Sequence, residues 1–187
     1  RHMSVVTKNV QLNGLTTFWS LCDHTPVGAL SQGLEDIGRA DLMPDLSRGT
    51  DALSRALHRA FSERRTLIRP LKGLTGYAVV LETPAELADE KMEYEEAFKV
   101  GCVVGKHLIF NPEDTEHKFM VEREFQKQLE IVPASKVGGM LTKAVRSLEG
   151  ISMRPKGGMY WVPEKHLDTW NAIADVVHKA SADNYVL

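Results

Sequence analysis

Cysteine is scarce in this chain: Cys22 and Cys102 are the only two in 187 residues. Each sits in an apolar or aromatic stretch, Trp19 to Cys22 and Val100 to Val104, so both read as buried free thiols and a disulfide framework is not expected. Free thiols favour a reducing compartment, and the cytoplasm is the expected location. Long apolar runs are absent as well. None approaches the roughly 20 residues that cross a bilayer, so no membrane-spanning helix is expected. An HExxH pair, a Cys-x-x-Cys pair, a GxxxxGK[ST] loop and a strand-linked GxGxxG are all missing, which removes the motif-level grounds for zinc hydrolysis, structural zinc and nucleotide cradling. The glycine pairs Gly138-Gly139 and Gly157-Gly158 lack the context of a phosphate loop, and His24, His58, His107, His117, His166 and His178 are scattered. No metal and no cofactor is expected.

Net charge is also nearly absent, at -2 from 23 basic and 25 acidic residues, but its distribution is uneven. Between Ser47 and Lys72 seven basic residues stand against two acidic ones, a local balance of +5. From Glu82 to Phe98 seven carboxylates face only Lys91, a balance of -6. Such blocks either face each other or form one basic and one acidic surface. Hydrophobic residues at 43% and charged residues at 26% are ordinary for a globular chain able to bury its own core. Arg1-His2-Met3 reads as a vector remnant ahead of a native initiator methionine.

Periodicity places the elements. Val5 to Leu12 alternates like a strand, and Pro26 to Arg39 carries Leu30, Leu34 and Ile37 at helical spacing. Thr50 is placed to cap a helix bearing Leu53, Leu57, Ala60 and Phe61. Two strands, Thr66 to Leu71 and Tyr77 to Glu82, flank a glycine-containing turn, and further strands lie at Ala97 to Val104 and His107 to Asn111. Thr115 is placed to cap a helix with Val121, Phe125 and Leu129, and another helix runs from Ser135 with Val137, Leu141, Val145 and Leu148 inward. Ile151 to Arg154 and Met159 to Val162 read as short strands, with a last helix after Pro163. The fold class is therefore α+β, divided into an N-terminal unit, 4–112, and a C-terminal helix-hairpin-helix unit, 113–187.

The halves share a pattern. Arg69-Pro70, Lys72-Gly73 and Tyr77-Ala78-Val79 in the first match Arg154-Pro155, Lys156-Gly157 and Tyr160-Trp161-Val162 in the second, at offsets of 85, 84 and 83 residues. Each follows an apolar-faced helix carrying basic residues. Helix, turn, helix and basic hairpin is the element order of winged-helix domains, which residues 27–82 and 115–163 resemble at the level of order. The resemblance implies two helix-plus-β-hairpin units packed together, tandem winged-helix-like, with the helix before each hairpin as recognition helix and the hairpin as wing. The acidic stretch and the strands around Val100 to Phe110 depart from it.

These cations define the expected function, a nucleic-acid-binding or regulatory module without catalytic activity. Phosphate contact would use Arg55, Arg59, Arg69 and Lys72 from the first half, and Lys136, Lys143, Arg146, Arg154 and Lys156 from the second. Strand alternation sends only one of Tyr160 and Trp161 into the core, leaving Tyr160 as a candidate stacking surface. The partner on this reading is DNA or RNA. The alternative is a protein-interaction adaptor that docks another protein through the acidic segment, the hairpins or the apolar Tyr185-Val186-Leu187 end, past which the native chain would continue. An enzyme of unrecognised type ranks third. Cys22-Asp23-His24 sets a thiol near an imidazole in sequence, but adjacent side chains diverge and nucleophilic pairs are built in space.

Overall fold

The computed structural model describes residues 13–46, 48–62, 65–72, 75–83, 93–104, 106–155 and 158–187. The expected strand at Val5 to Leu12, most of the acidic stretch and Lys156 lie outside the described residues. In chain order the first elements are strands β1 (Gly14–Thr17), β2 (Trp19–Ser20) and β3 (Thr25–Pro26), then helices α1 (Val27–Asp36) and α2 (Gly49–Ala60). Strands β4 (Thr66–Pro70), β5 (Gly76–Thr83), β6 (Glu93–Val103) and β7 (His107–Asn111) precede helix α3 (Lys118–Leu129). After them come β8 (Ile131–Val132), α4 (Ala134–Ser147), β9 (Ile151–Ser152), β10 (Tyr160–Pro163), α5 (Leu167–Ala180) and β11 (Tyr185–Val186). The fold is α+β, with antiparallel sheets.

Two compact units partition the chain: Arg1–Pro44 with Val132–Leu187, and Asp45–Ile131, which lies within the sequence of the first. This division differs from a break between 112 and 113. An apolar stripe every four residues along α3 says that the helix is buried, but not against what. Its Val121 and Phe125 share a core with Phe98, Val100 and Phe110, so α3 belongs with the preceding strands.

In the inserted unit β4, β5, β6 and β7 form an antiparallel meander in that order. Alternation along each strand sends Val79, Phe98, Val100 and Phe110 to one face. There they meet Ala52, Leu53, Ala56 and Leu57 of α2, all fully buried. Each such leucine contributes about 1.5–3 kcal/mol of burial free energy. The N-terminus of α2 differs from the sequence expectation: the helix begins at Gly49, Arg48 is its N-cap residue, and no side chain caps it. A Cβ on Gly49 would stand 2.4 Å from Cys102 Sγ, so close approach to β6, and not a Thr50 cap, fixes where the helix starts. Likewise α3 begins at Lys118 without a side-chain cap, and Thr115 contributes its carbonyl to the Lys118 N–H at 3.1 Å.

In the discontinuous unit α1, α4 and α5 enclose Leu30, Leu34, Val137, Leu141, Val145, Trp170 and Ile173. Strand β10 runs between β1 and β9. Thr16 pairs with Trp161, and Trp161 with Ile151. Asn184, buried, joins the C-terminal segment to the start of the unit: its Oδ1 accepts the Cys22 N–H at 3.0 Å and its Nδ2 donates to Thr25 Oγ1 at 2.9 Å.

The two hairpins of the repeated pattern do not share a register. Pro70 closes β4 opposite Tyr77. Tyr160 instead pairs with Ser152, leaving Arg154-Pro155 beyond the strand, in the connection. Both β4 and β9 are edge strands of their sheets, the position in which a neighbouring proline costs no ladder bond.

Candidate functional site

A cationic concavity of the discontinuous unit is made where α4 passes into the β9–β10 hairpin. Gly150 allows the passage: a Cβ there would lie 2.5 Å from Val145 Cγ1 and 2.7 Å from the Trp161 carbonyl oxygen. Ahead of it Glu149 adopts φ 57°, the left-handed conformation that ends helices, and the Gly150 N–H bonds the Val145 carbonyl at 2.8 Å. The chain thus reverses tightly, and the last turn of α4 faces the hairpin across a recess of about 790 Å³ lined by Val145, Arg146, Ile151, Met153, Arg154 and Tyr160, among others.

Its electrostatics are one-signed. Arg146 and Arg154 are exposed, and neither guanidinium is in an ion pair or hydrogen bond among the described residues; the Arg154 carbonyl accepts from Ser152 Oγ at 2.7 Å. No carboxylate lines the recess among those residues, and the sequence from Gly150 to Pro163 contains none. The nearest in sequence, Glu149, is held by Lys165 Nζ at 2.7 Å, with His166 Nε2 at 3.7 Å. Hydrogen bonding and charge from Lys165 keep its carboxyl below the usual carboxylate range.

The other sequence candidates take different places. Lys136 is exposed on the first turn of α4. Lys143 is exposed too, but its Nζ donates to the Asp41 carbonyl at 2.7 Å, so it fastens α4 to the turn after α1. Tyr160 is half-buried, and its ring stacks on Trp19 with centroids 4.8 Å apart and planes 8° from parallel. That stack occupies a face the sequence had left for a nucleic-acid base, and the hydroxyl lies 3.3 Å from Thr142 Oγ1. Trp161 covers Gly14, where a Cβ would come within 2.5 Å of the indole.

In the inserted unit the basic set does not assemble. Arg55 is turned inward, its Nε donating to Gln128 Oε1 at 3.1 Å and its Nη2 to the Gln128 carbonyl at 3.2 Å. Arg59 is exposed on α2. Arg69 is exposed on β4, and because the adjacent Ile68 packs into the helix-covered core, Arg69 points to the opposite sheet face. Lys72 is exposed in the turn after β4. Glu82 and Glu96 pair with Arg65 and Lys99, at 3.2 and 2.9 Å.

Two recess residues, Ile151 and Met153, were not singled out from the sequence. They are 56% and 50% exposed, and their signal was an apolar pair two residues apart beside Arg154. Elsewhere, Cys22 Sγ lies 3.4 Å from Ser181 Oγ and 3.7 Å from Thr25 Oγ1. The neighbouring His24 ring faces Asp183, at 2.9 Å. Among the described residues no group of His, Cys, Asp and Glu is arranged to hold a metal ion, and no helix is long and apolar enough to cross a membrane.

No curated protein and no solved structure gives a significant match to the chain. One family model does, over residues 18–184. With nearly its whole length matched, the chain belongs to the Family of unknown function (DUF6744).

Proposed function

We propose that the protein is a cytoplasmic, non-catalytic nucleic-acid-binding module that contacts phosphates through the recess between α4 and the β9–β10 hairpin. One observation carries this reading: Arg146 and Arg154, from a helix and a hairpin, line the same concavity without a carboxylate among its described residues. A guanidinium is always charged and offers a planar fork of donors to phosphate oxygens. Leaving two of them side by side without a counter-ion costs folding free energy through repulsion, which an anion relieves. Lys136 adds positive charge on the same helix. The order of α4 followed by a hairpin, with β1 as third strand, supports a winged-helix-like arrangement here.

The test is fluorescence anisotropy of labelled oligonucleotides across a salt series. Affinity should fall steeply between about 50 mM and about 200 mM salt as counterions compete for the released phosphates. Arg146→Ala with Arg154→Ala should lower affinity about a hundredfold at low salt and flatten the salt slope by about 1.5. Arg59→Ala with Arg69→Ala should leave both within about twofold. Equal losses in the two double variants would remove the recess from the reading.

A second reading, a protein-interaction adaptor, draws on the helix-free face of the inserted unit's sheet. There Ile109 is 59% exposed and Val103 43%, and register places Arg69, Ala78, Lys99 and Asn111 in one cross-strand row. An absence of oligonucleotide binding even at low salt would overturn the first reading and favour this one.

A further inference from the structure

The sheet of the inserted unit has two edges, β4 and β7, and they are built differently. Strand β4 carries Arg69 and Pro70, residue types with which natural sheets discourage further pairing. At the centre of β7, Leu108-Ile109-Phe110 contains neither charge nor proline. Hydrogen bonds one strand away fix the direction in which its backbone faces. The Cys102 N–H donates to the Thr75 carbonyl at 2.9 Å, and the Cys102 carbonyl accepts from Thr75 Oγ1 at 2.8 Å, so both groups of Cys102 point to the β5 side of β6. Leu108, opposite Cys102, is therefore in a non-hydrogen-bonded pair. Leu108 and Phe110 accordingly direct their N–H and C=O groups away from β6, to the edge, and no described strand pairs with them there.

Apolar side chains flank this edge on both faces. Ile109 is 59% exposed on the helix-free face, and on the helix side Phe119 of α3, 75% exposed, lines with Leu108 a recess of about 640 Å³. Charge is divided along the strand. Lys106 and His107 stand exposed at its start, Glu113 and Asp114 just past its end, and none of the four is in an ion pair among the described residues.

We infer that β7 is the docking edge for a second copy of this chain, the two strands running antiparallel about a two-fold axis at Ile109. Outward backbone must meet outward backbone, so Leu108 of each copy pairs with Phe110 of the other, each pair exchanging both of its N–H···O bonds. That register sets Ile109 against its own copy in the close, non-hydrogen-bonded position, where two apolar side chains cover each other. It also sets Lys106 opposite Pro112. The proline has no N–H to give, and the Lys106 N–H already donates to the Val103 carbonyl at 3.1 Å, so pairing ends there without stranding a donor. The basic start of each strand lies beside the acidic end of the other. This self-complementarity selects a second copy over an unrelated strand, and it owes nothing to nucleic-acid contact.

Sedimentation velocity of the full chain without nucleic acid tests the inference, and an interface this small should be half-formed at a concentration on the order of 10 µM. Ile109→Lys sets two ammonium groups against each other and should weaken the dimer at least about tenfold, with an unchanged circular dichroism spectrum. Lys106→Glu, and separately Glu113→Lys with Asp114→Lys, should each weaken self-association about fivefold. An equimolar mixture of those two variants should associate as tightly as the parent, because both charged contacts become attractive again. Rescue by mixing cannot arise from a folding defect in either variant. A chain still monomeric at about 300 µM, well above the range expected for a specific small interface, overturns the inference and leaves the edge to a strand of another protein. A dimer untouched by Ile109→Lys, or charge variants that mixing does not rescue, overturns it too, because the copies would then meet through another surface.

Discussion

The inserted and the discontinuous unit begin from a similar local order, a helix with basic residues leading into a hairpin, and use their arginines in opposite ways. In the inserted unit Arg55 turns into the protein and satisfies two acceptors of Gln128, a residue only 2% exposed. In the discontinuous unit Arg146 and Arg154 line a hollow, and their guanidinium groups bond nothing within the described residues. The difference follows from what lies beside each helix. A second helix, α3, flanks α2 with polar backbone and side-chain groups that need donors, whereas α4 ends in a tight reversal at Gly150 whose far side is a short, carboxylate-free hairpin. A guanidinium beside unmet acceptors becomes part of the structure, and one beside a hollow keeps its donors open to solvent.

Arginine removal is the sharpest way to test that contrast. Arg55→Ala would leave the Gln128 side-chain and backbone oxygens without their donors in a largely buried site, at a cost of about 2–3 kcal/mol in unfolding free energy. Arg59→Ala and Arg146→Ala, both at exposed positions, should stay within about 0.5 kcal/mol. Urea denaturation of the three variants measures this directly. Equal midpoints would break the comparison, because Arg55 would then be as dispensable to folding as the exposed arginines.

Glycine separates the two helices by a smaller amount. A methyl group on Gly49 would collide with Cys102 Sγ, while one on Gly139 of α4 meets nothing within 4 Å. Gly139→Ala should therefore stabilise by about 0.5–1 kcal/mol through helix propensity, and Gly49→Ala should destabilise by about 1–2 kcal/mol through overpacking. Adding Cys102→Ala to Gly49→Ala should recover most of the loss. A Gly49→Ala protein as stable as the parent would show that α2 is free to shift away from β6.

What the sequence made legible were the features that repeat locally. The alternation of Phe98, Val100 and Cys102 and of Leu108 and Phe110 announced β6 and β7, and the turn between Lys72 and Gly76 announced the β4–β5 hairpin. The spacing of Lys136, Lys143 and Arg146 put three cations on one side of α4. Partnerships between distant residues left no local trace. Nothing near Arg55 points to Gln128, and nothing near Tyr160 points to Trp19, whose ring it meets only because β1 and β2 lie in the same unit as β10. The apparent repeat misled for a related reason: Arg-Pro and Tyr-x-Val recur in sequence, but strand pairing sets Tyr77 opposite Pro70 and Tyr160 opposite Ser152. Ile151 and Met153 looked like ordinary strand residues, and strand pairing sets them on the face of Trp161, opposite Tyr160.

The finest contrast lies between the two thiols, one in each unit and both free. Burial raises the pKa of Cys22, but hydrogen bonds with Ser181, the His24 backbone and Thr25 together outweigh it and hold the thiol below its ordinary range. Burial raises Cys102 as well, and Lys106 offsets that only in part, so this thiol sits above its ordinary range. Only the thiolate attacks an alkylating agent, so the fraction ionised at a given pH sets the rate. With iodoacetamide and the folded protein, Cys22 should be labelled first at every pH, and its rate should level off at lower pH than that of Cys102, as read by peptide mass spectrometry. Ser181→Ala removes one hydrogen-bond partner of the sulfur and should move the Cys22 profile to higher pH while leaving Cys102 unmoved. Faster labelling of Cys102 in the native protein would mean that the half-buried sulfur is the better shielded of the two, and that the hydroxyl groups around Cys22 close over it instead of activating it.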